Sequence, residues 1–124
     1  IHCQGWMTSL IPLYLKTIYK DEPVFRNTKV IYSVYHENCT DNLGEDFVRK
    51  ASMNSIDEIC SECFENSSLN ELNVGAVKHS DGVVTNCDEA HRSVESHLEG
   101  KLVMKHSDVD VEQNYVAFYK QFMP

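Results

Sequence analysis

The sequence predicts an α/β fold: a mostly parallel sheet of about four strands with helices on both faces. Two observations predict it. Short runs dense in Val, Ile and Tyr alternate along the chain with stretches of helical apolar periodicity, and such alternation implies parallel strands joined by crossover helices. A length of 124 residues fits one domain able to bury a reasonable core. No internal repeat or low-complexity segment interrupts the pattern.

The elements follow in order. The chain opens inside what reads as a strand, around His2 to Gln4. From Thr8 to Tyr19, the apolar positions Leu10, Ile11, Tyr14, Leu15 and Ile18 predict a helix with one buried face. Pro12 falls in its first turn, where a missing N–H costs little. Lys29 to Tyr35 reads as a buried strand. A polar loop containing Asn42 and Gly44 leads to a short helix around Phe47 to Ala51. Ile56, Ile59, Cys60, Cys63 and Phe64 trace an amphipathic helix, and Leu69, Leu72 and Ala76 begin another. Ser80, Asp81 and Gly82 form a turn into the strand Val83-Val84-Thr85. Ala90, Val94 and Leu98 make a helical stripe closed by Gly100. Lys101 to Met104 reads as the last strand. Val111, Tyr115, Phe118, Tyr119 and Phe122 give a terminal helix with an aromatic face.

Composition narrows the functions. Nineteen acidic against eleven basic residues give a formal charge of −8 and a pI near 5.1, which argues against nucleic acid as a partner. No stretch approaches the roughly 20 apolar residues of a membrane span, and no charged-then-apolar signal peptide is expected ahead of the first strand. Five cysteines of irregular spacing suggest reduced thiols and a cytoplasmic location. The sequons at Asn38 and Asn66 are then without consequence.

The segment from Ile1 to Phe25 resembles the acceptor-side motif of bacterial glycogen and starch synthases, glycosyltransferase family 5, which reads roughly His-x-His-Asp-Trp-His-Thr before an apolar helix. Trp6, Thr8, Leu10, Pro12 and the run Leu13-Tyr14-Leu15-Lys16-Thr17 match, and Phe25 to Val30 resembles the family's link into its next strand. Gly75 to Thr85 is similar to the helix-turn-strand in which the family carries a Tyr-Ala-Asp turn. The resemblance implies a Rossmann-like half-domain, part of the N-terminal lobe of a GT-B enzyme, with residues 1–124 forming a partial, divergent N-terminal catalytic domain. It also implies ADP-glucose and an α-1,4-glucan as substrates of the parent reaction.

The departures bear on that chemistry. Met7 stands where the family has its closing His, Gly5 at the preceding acidic position and Gln4 at the second His; Ser33-Val34-Tyr35-His36 replaces Thr-x-His-Asn. Methionine cannot donate a strong hydrogen bond, and one oriented donor is worth roughly 3–4 kcal/mol in a transition state. The substrate-binding candidates are Gln4, Trp6 and Met7, with no catalytic residue assigned and no metal or cofactor expected. Trp6, past a strand's carboxyl end where parallel sheets place ligands, either stacks on a glucose ring or walls the core. Gln4 at the strand tip can hydrogen-bond a hydroxyl, whereas His2 is read as packing in the sheet.

Other constellations carry blander readings. Cys60 and Cys63 form a Cys-x-x-Cys pair, but both lie on the apolar stripe of their helix, and buried Cys behaves as a small hydrophobe; no further ligand pair completes a zinc site. His91 and Glu95 at i+4 are a common exposed-face pair. Glu37, Glu45 and Asp46 are loop carboxylates read as solvated. No phosphate loop or nucleophile elbow is present.

The sequence therefore predicts a fragment of a glucosyltransferase, inactive alone because the nucleotide lobe is missing. The alternatives are a catalytically degenerate glucan-binding or scaffold protein and, more weakly, a thiol sensor using Cys60 and Cys63. The lack of an initial Met suggests a piece of one lobe, while the aromatic terminal helix ending in Phe122-Met123-Pro124 looks like a packed terminus. Exposed sheet edges predict self-association as a two-fold homodimer.

Overall fold

The computed structural model describes residues 1–36, 46 and 68–124. Four strands, β1 (His2–Gln4), β2 (Ile31–Val34), β3 (Gly82–Thr85) and β4 (Leu102–Lys105), form one sheet in sequential order with every neighbouring pair parallel. Four α-helices among the described residues accompany them: α1 (Leu10–Lys16), α2 (Leu69–Lys78), α3 (Asp88–Val94) and α4 (Val111–Lys120). The predicted α/β class and the parallel Rossmann-like half-sheet are thus the observed architecture. The helices expected at 47–51 and 56–64, with Cys60 and Cys63, lie outside the described residues.

Register divides the side chains between two faces. His2, Ile31, Gly82 and Leu102 align across the sheet, as do Cys3, Tyr32, Val83 and Val103; because side chains alternate along a strand, these rows face opposite ways. On one face Cys3, Tyr32, Val34 and Val83 pack with Ala76 and Val77 of α2 and with Ala90 and Val94 of α3. Sequential parallel crossovers of one hand place their helices on one side, and α1 joins that layer through Leu13 against Leu69 and Leu72. The other face is covered by α4, whose Phe118 packs on Ile31 and Val84, with Tyr115, Tyr119 and Phe122 beside it.

Helix α1 corrects one expectation. Pro12, Leu13 and Leu15 are buried, with Leu10 and Tyr14 half-buried beside them, so Leu15 lies inside as expected while Ile11 and Ile18, expected on the same face, are exposed. Thr17 leaves helical geometry (φ −120°, ψ −78°), which puts Ile18 and Tyr19 beyond the helix. The stripe at 90–98 also breaks: α3 ends at Val94 and a 3-10 turn, Glu95–His97, continues to Leu98. Gly100 takes φ +76°, the left-handed conformation that suits glycine where a helical segment closes.

The amino-terminal end of the sheet is tied by Asp81. Its carboxylate accepts from Lys16 Nζ at 2.7 Å and from the Val30 N–H at 2.8 Å, while Lys101 Nζ donates to the Ser80 carbonyl at 2.6 Å. Burial alone would raise the Asp81 pKa, but the Lys16 and Val30 hydrogen bonds outweigh it and hold the carboxyl below its ordinary value. One side chain thus joins α1, the lead into β2 and the start of β3.

Candidate functional site at the carboxyl ends of the strands

β1 ends at a turn that only glycine adopts readily. Gly5 has φ 76° and ψ 167°, a region closed to side chains by backbone strain rather than crowding, since an added Cβ would meet nothing within 4 Å. Its N–H donates to the Ser33 carbonyl at 3.2 Å, and its carbonyl accepts from the Thr8 N–H and hydroxyl at 3.1 and 3.0 Å. The glycine read from sequence as a lost acidic residue therefore has a conformational role of its own. It turns the chain from β1 into a 3-10 segment, Trp6–Thr8.

The three candidates in this motif point apart. Gln4 is exposed at the strand tip and accepts a hydrogen bond from the Tyr35 hydroxyl at 3.3 Å. Trp6 is half-buried against Leu13, Leu69 and Leu72. Met7 projects into solvent, 81% exposed. His2 sits in the sheet: its Nδ1 lies 2.7 Å from the Tyr119 hydroxyl and its Nε2 2.7 Å from the Ser33 hydroxyl, with Tyr115 stacked 6.1 Å away. Burial, with the nearby α-amino group adding to it, lowers the His2 pKa below that of an ordinary imidazole.

A cavity of about 440 Å³ opens where β2 exits, lined by Tyr35 and His36 and by residues of α2 and α3, among them Leu69, Asn70, Asn73 and Arg92. Ser68 caps α2 by accepting from the Glu71 N–H at 3.2 Å, and Cys87 caps α3 by accepting from the Ala90 N–H at 3.4 Å. Asn73 is buried with its Oδ1 accepting from the Tyr32 hydroxyl at 2.7 Å. The Glu89 carboxyl, fully exposed, is held below its usual range by its own backbone N–H and the Cys87 thiol, with Arg92 and His36 adding to the effect. Sequence reasoning missed this cavity because its walls come from three separated segments. The available signal was position, since each segment follows or faces a strand's carboxyl end.

Of the remaining candidates, His91 Nδ1 meets the Thr85 hydroxyl at 3.3 Å. Among the described residues no group of three or more His, Cys, Asp and Glu side chains converges, and no helix is long and apolar enough to cross a membrane.

This architecture is an α/β half-domain, with a sequentially ordered parallel sheet and a cavity at its strands' carboxyl ends. The chain belongs to the starch synthase catalytic domain family, whose model matches residues 1–105. It is 35% identical over 86 residues to a glycogen synthase of Chlorobium phaeovibrioides, covering 68% of this chain and 17% of that protein. Glycogen synthases of Chlorobium chlorochromatii and Thermodesulfovibrio yellowstonii are each 50% identical over 36 residues, 29% of this chain and 7% of theirs. The chain thus spans under a fifth of these relatives. No solved structure matches it.

Proposed function

We propose that this chain is the acceptor-side part of a glucosyltransferase that moves glucose from ADP-glucose to the end of an α-1,4-glucan in the cytoplasm, with residues 1–124 forming a partial N-terminal catalytic domain that is inactive alone. The observation that carries the reading is the family match over residues 1–105, which includes the strand-tip motif and the strand ends around the cavity. Gln4, Trp6 and Met7 are assigned to substrate contact. In the test, labelled glucose from ADP-glucose is offered with glycogen; the isolated chain incorporates none, and incorporation above a protein-free blank overturns the claim of inactivity.

A second reading, a glucan-binding scaffold without catalysis, is favoured by Met7, which stands 81% exposed where the related motif has a histidine. The two readings separate in a parent protein carrying both lobes: measurable turnover that rises on Met7→His supports the enzyme, and glucan binding with no turnover supports the scaffold. Self-association through the sheet edge belongs to the same proposal. β4 pairs only with β3 among the described residues, and Leu102 and Val103 are exposed on it, leaving unpaired backbone groups along one side. A monomeric mass by light scattering at roughly 100 μM, far above a micromolar dissociation constant, removes the dimer.

A further inference from the structure

We propose that the outward face of α4 pairs two copies of this chain, the helices running antiparallel about a two-fold axis at Val116 with Glu112 of each copy against Lys120 of the other. The inference is independent of the transferase reading and uses a surface other than the β4 edge. α4 lies past residue 105, where the family match ends, so the feature is this chain's own. The helix is committed on one side only: Phe118 is buried against Ile31 and Val84, with Tyr115, Tyr119 and Phe122 beside it. On the opposite side a groove is lined by Glu112, Gln113, Val116, Ala117 and Lys120, all exposed. Among the described residues, no hydrogen bond or ion pair engages the side chains of Glu112, Gln113 or Lys120.

The order of residues along that face selects the occupant. Glu112 and Lys120 stand four residues before and after Val116, one helical turn each way. Val109 and Met123, 68% and 65% exposed, stand seven residues before and after it. A two-fold axis sets each residue before the centre against one after it on the second copy. Each Glu112 then meets a Lys120, each Val109 meets a Met123, and Val116, 46% exposed, meets its own counterpart. Opposite charges therefore face each other and apolar residues coincide, whereas a parallel pair would set Glu112 against Glu112 and Lys120 against Lys120. Ala117 leaves room for the axes to approach to about 8–10 Å. Ten residues of helix span only about 15 Å, less than a standard interface of roughly 1,600 Å² needs, so the pair is weak and forms with rising concentration.

The test is sedimentation velocity on this chain from roughly 1 to 100 μM. The unaltered chain shifts from one copy to two over that range. Lys120→Glu, which sets like charges across the axis at two places, weakens the dimer about tenfold, and Glu112→Lys combined with Lys120→Glu restores it. Both positions are exposed, and circular dichroism melts verify that the variants fold. A single-copy mass for the unaltered chain at every concentration overturns the proposal. So does a dimer that Lys120→Glu leaves intact, which places the contact on another surface such as the β4 edge. A doubly reversed variant that stays monomeric overturns the antiparallel register.

Discussion

Asp81 is the position where a single substitution has the most structure to undo. Asp81→Ala removes both the Lys16 ion pair and the acceptor for the Val30 N–H. Val30 is wholly buried, and a buried donor left unsatisfied costs about 1–3 kcal/mol. The Lys16 pair is roughly one-third exposed on each side, so screening limits it to about 0.5–1 kcal/mol. The sum is a loss of about 1.5–4 kcal/mol. Asp81→Asn keeps an oxygen for Val30 and loses only the charge, about 1 kcal/mol by the same reasoning. The folded-state pKa of Asp81 is lowered, so its contribution is present above the unfolded value of about 3.9 and disappears as pH falls through the folded value. Urea unfolding followed by circular dichroism at pH 7 and at decreasing pH measures both quantities. A loss under about 0.5 kcal/mol for Asp81→Ala, or an Asp81→Asn deficit that persists undiminished in acid, removes Asp81 as the tie between α1, β2 and β3.

Three further outcomes rest on other parts of the fold. Gly5→Ala destabilises by about 1–3 kcal/mol through backbone strain alone, with the packing around the turn unchanged; unfolding in urea equal to the parent's contradicts the turn assignment. His2 has a lowered folded-state pKa, so the unfolded chain binds more protons between the folded value and about 6.5 and stability falls as pH drops through that window; an imidazole titration by NMR at or above the ordinary value contradicts the burial of His2. Cys3 is buried with its thiol pKa raised by that burial, while Cys87 is half-buried, so a thiol reagent labels Cys87 before Cys3 in the native state, and the reverse order, read by mass spectrometry, contradicts the packing.

What the sequence discloses depends on how local the cause is. β2 and β3 are readable because both faces of each are buried, which leaves runs such as Ile31-Tyr32-Ser33-Val34. α2 is readable because Leu69, Leu72 and Ala76 keep helical phase along it. α1 is misread only at Ile11 and Ile18, which are exposed while Leu15 is buried as expected, because its buried face is set by α2 and the apolar residues from Leu10 to Ile18 fit more than one phase. Which phase is used depends on the helix ending at Lys16, which no residue type announces. Gly5 is visible only as a departure from a motif, since its dihedral angles become known with the turn. The motif residues Gln4, Trp6 and Met7 are easily singled out, but neighbouring residues leave a turn in different directions, and sequence does not say where. The cavity is hidden for the opposite reason: Tyr35, Asn70 and Arg92 are far apart in the chain and meet only when parallel strands end at one edge.

Glucan affinity without transferase activity is what the proposed function requires of this chain. Co-sedimentation with glycogen measures that affinity, with the charge-rich polymer heparin as a control that an acidic chain of formal charge −8 should avoid. The expected result is saturable pelleting with glycogen that soluble maltoheptaose competes away. Protein that stays in the supernatant at every glycogen concentration contradicts it.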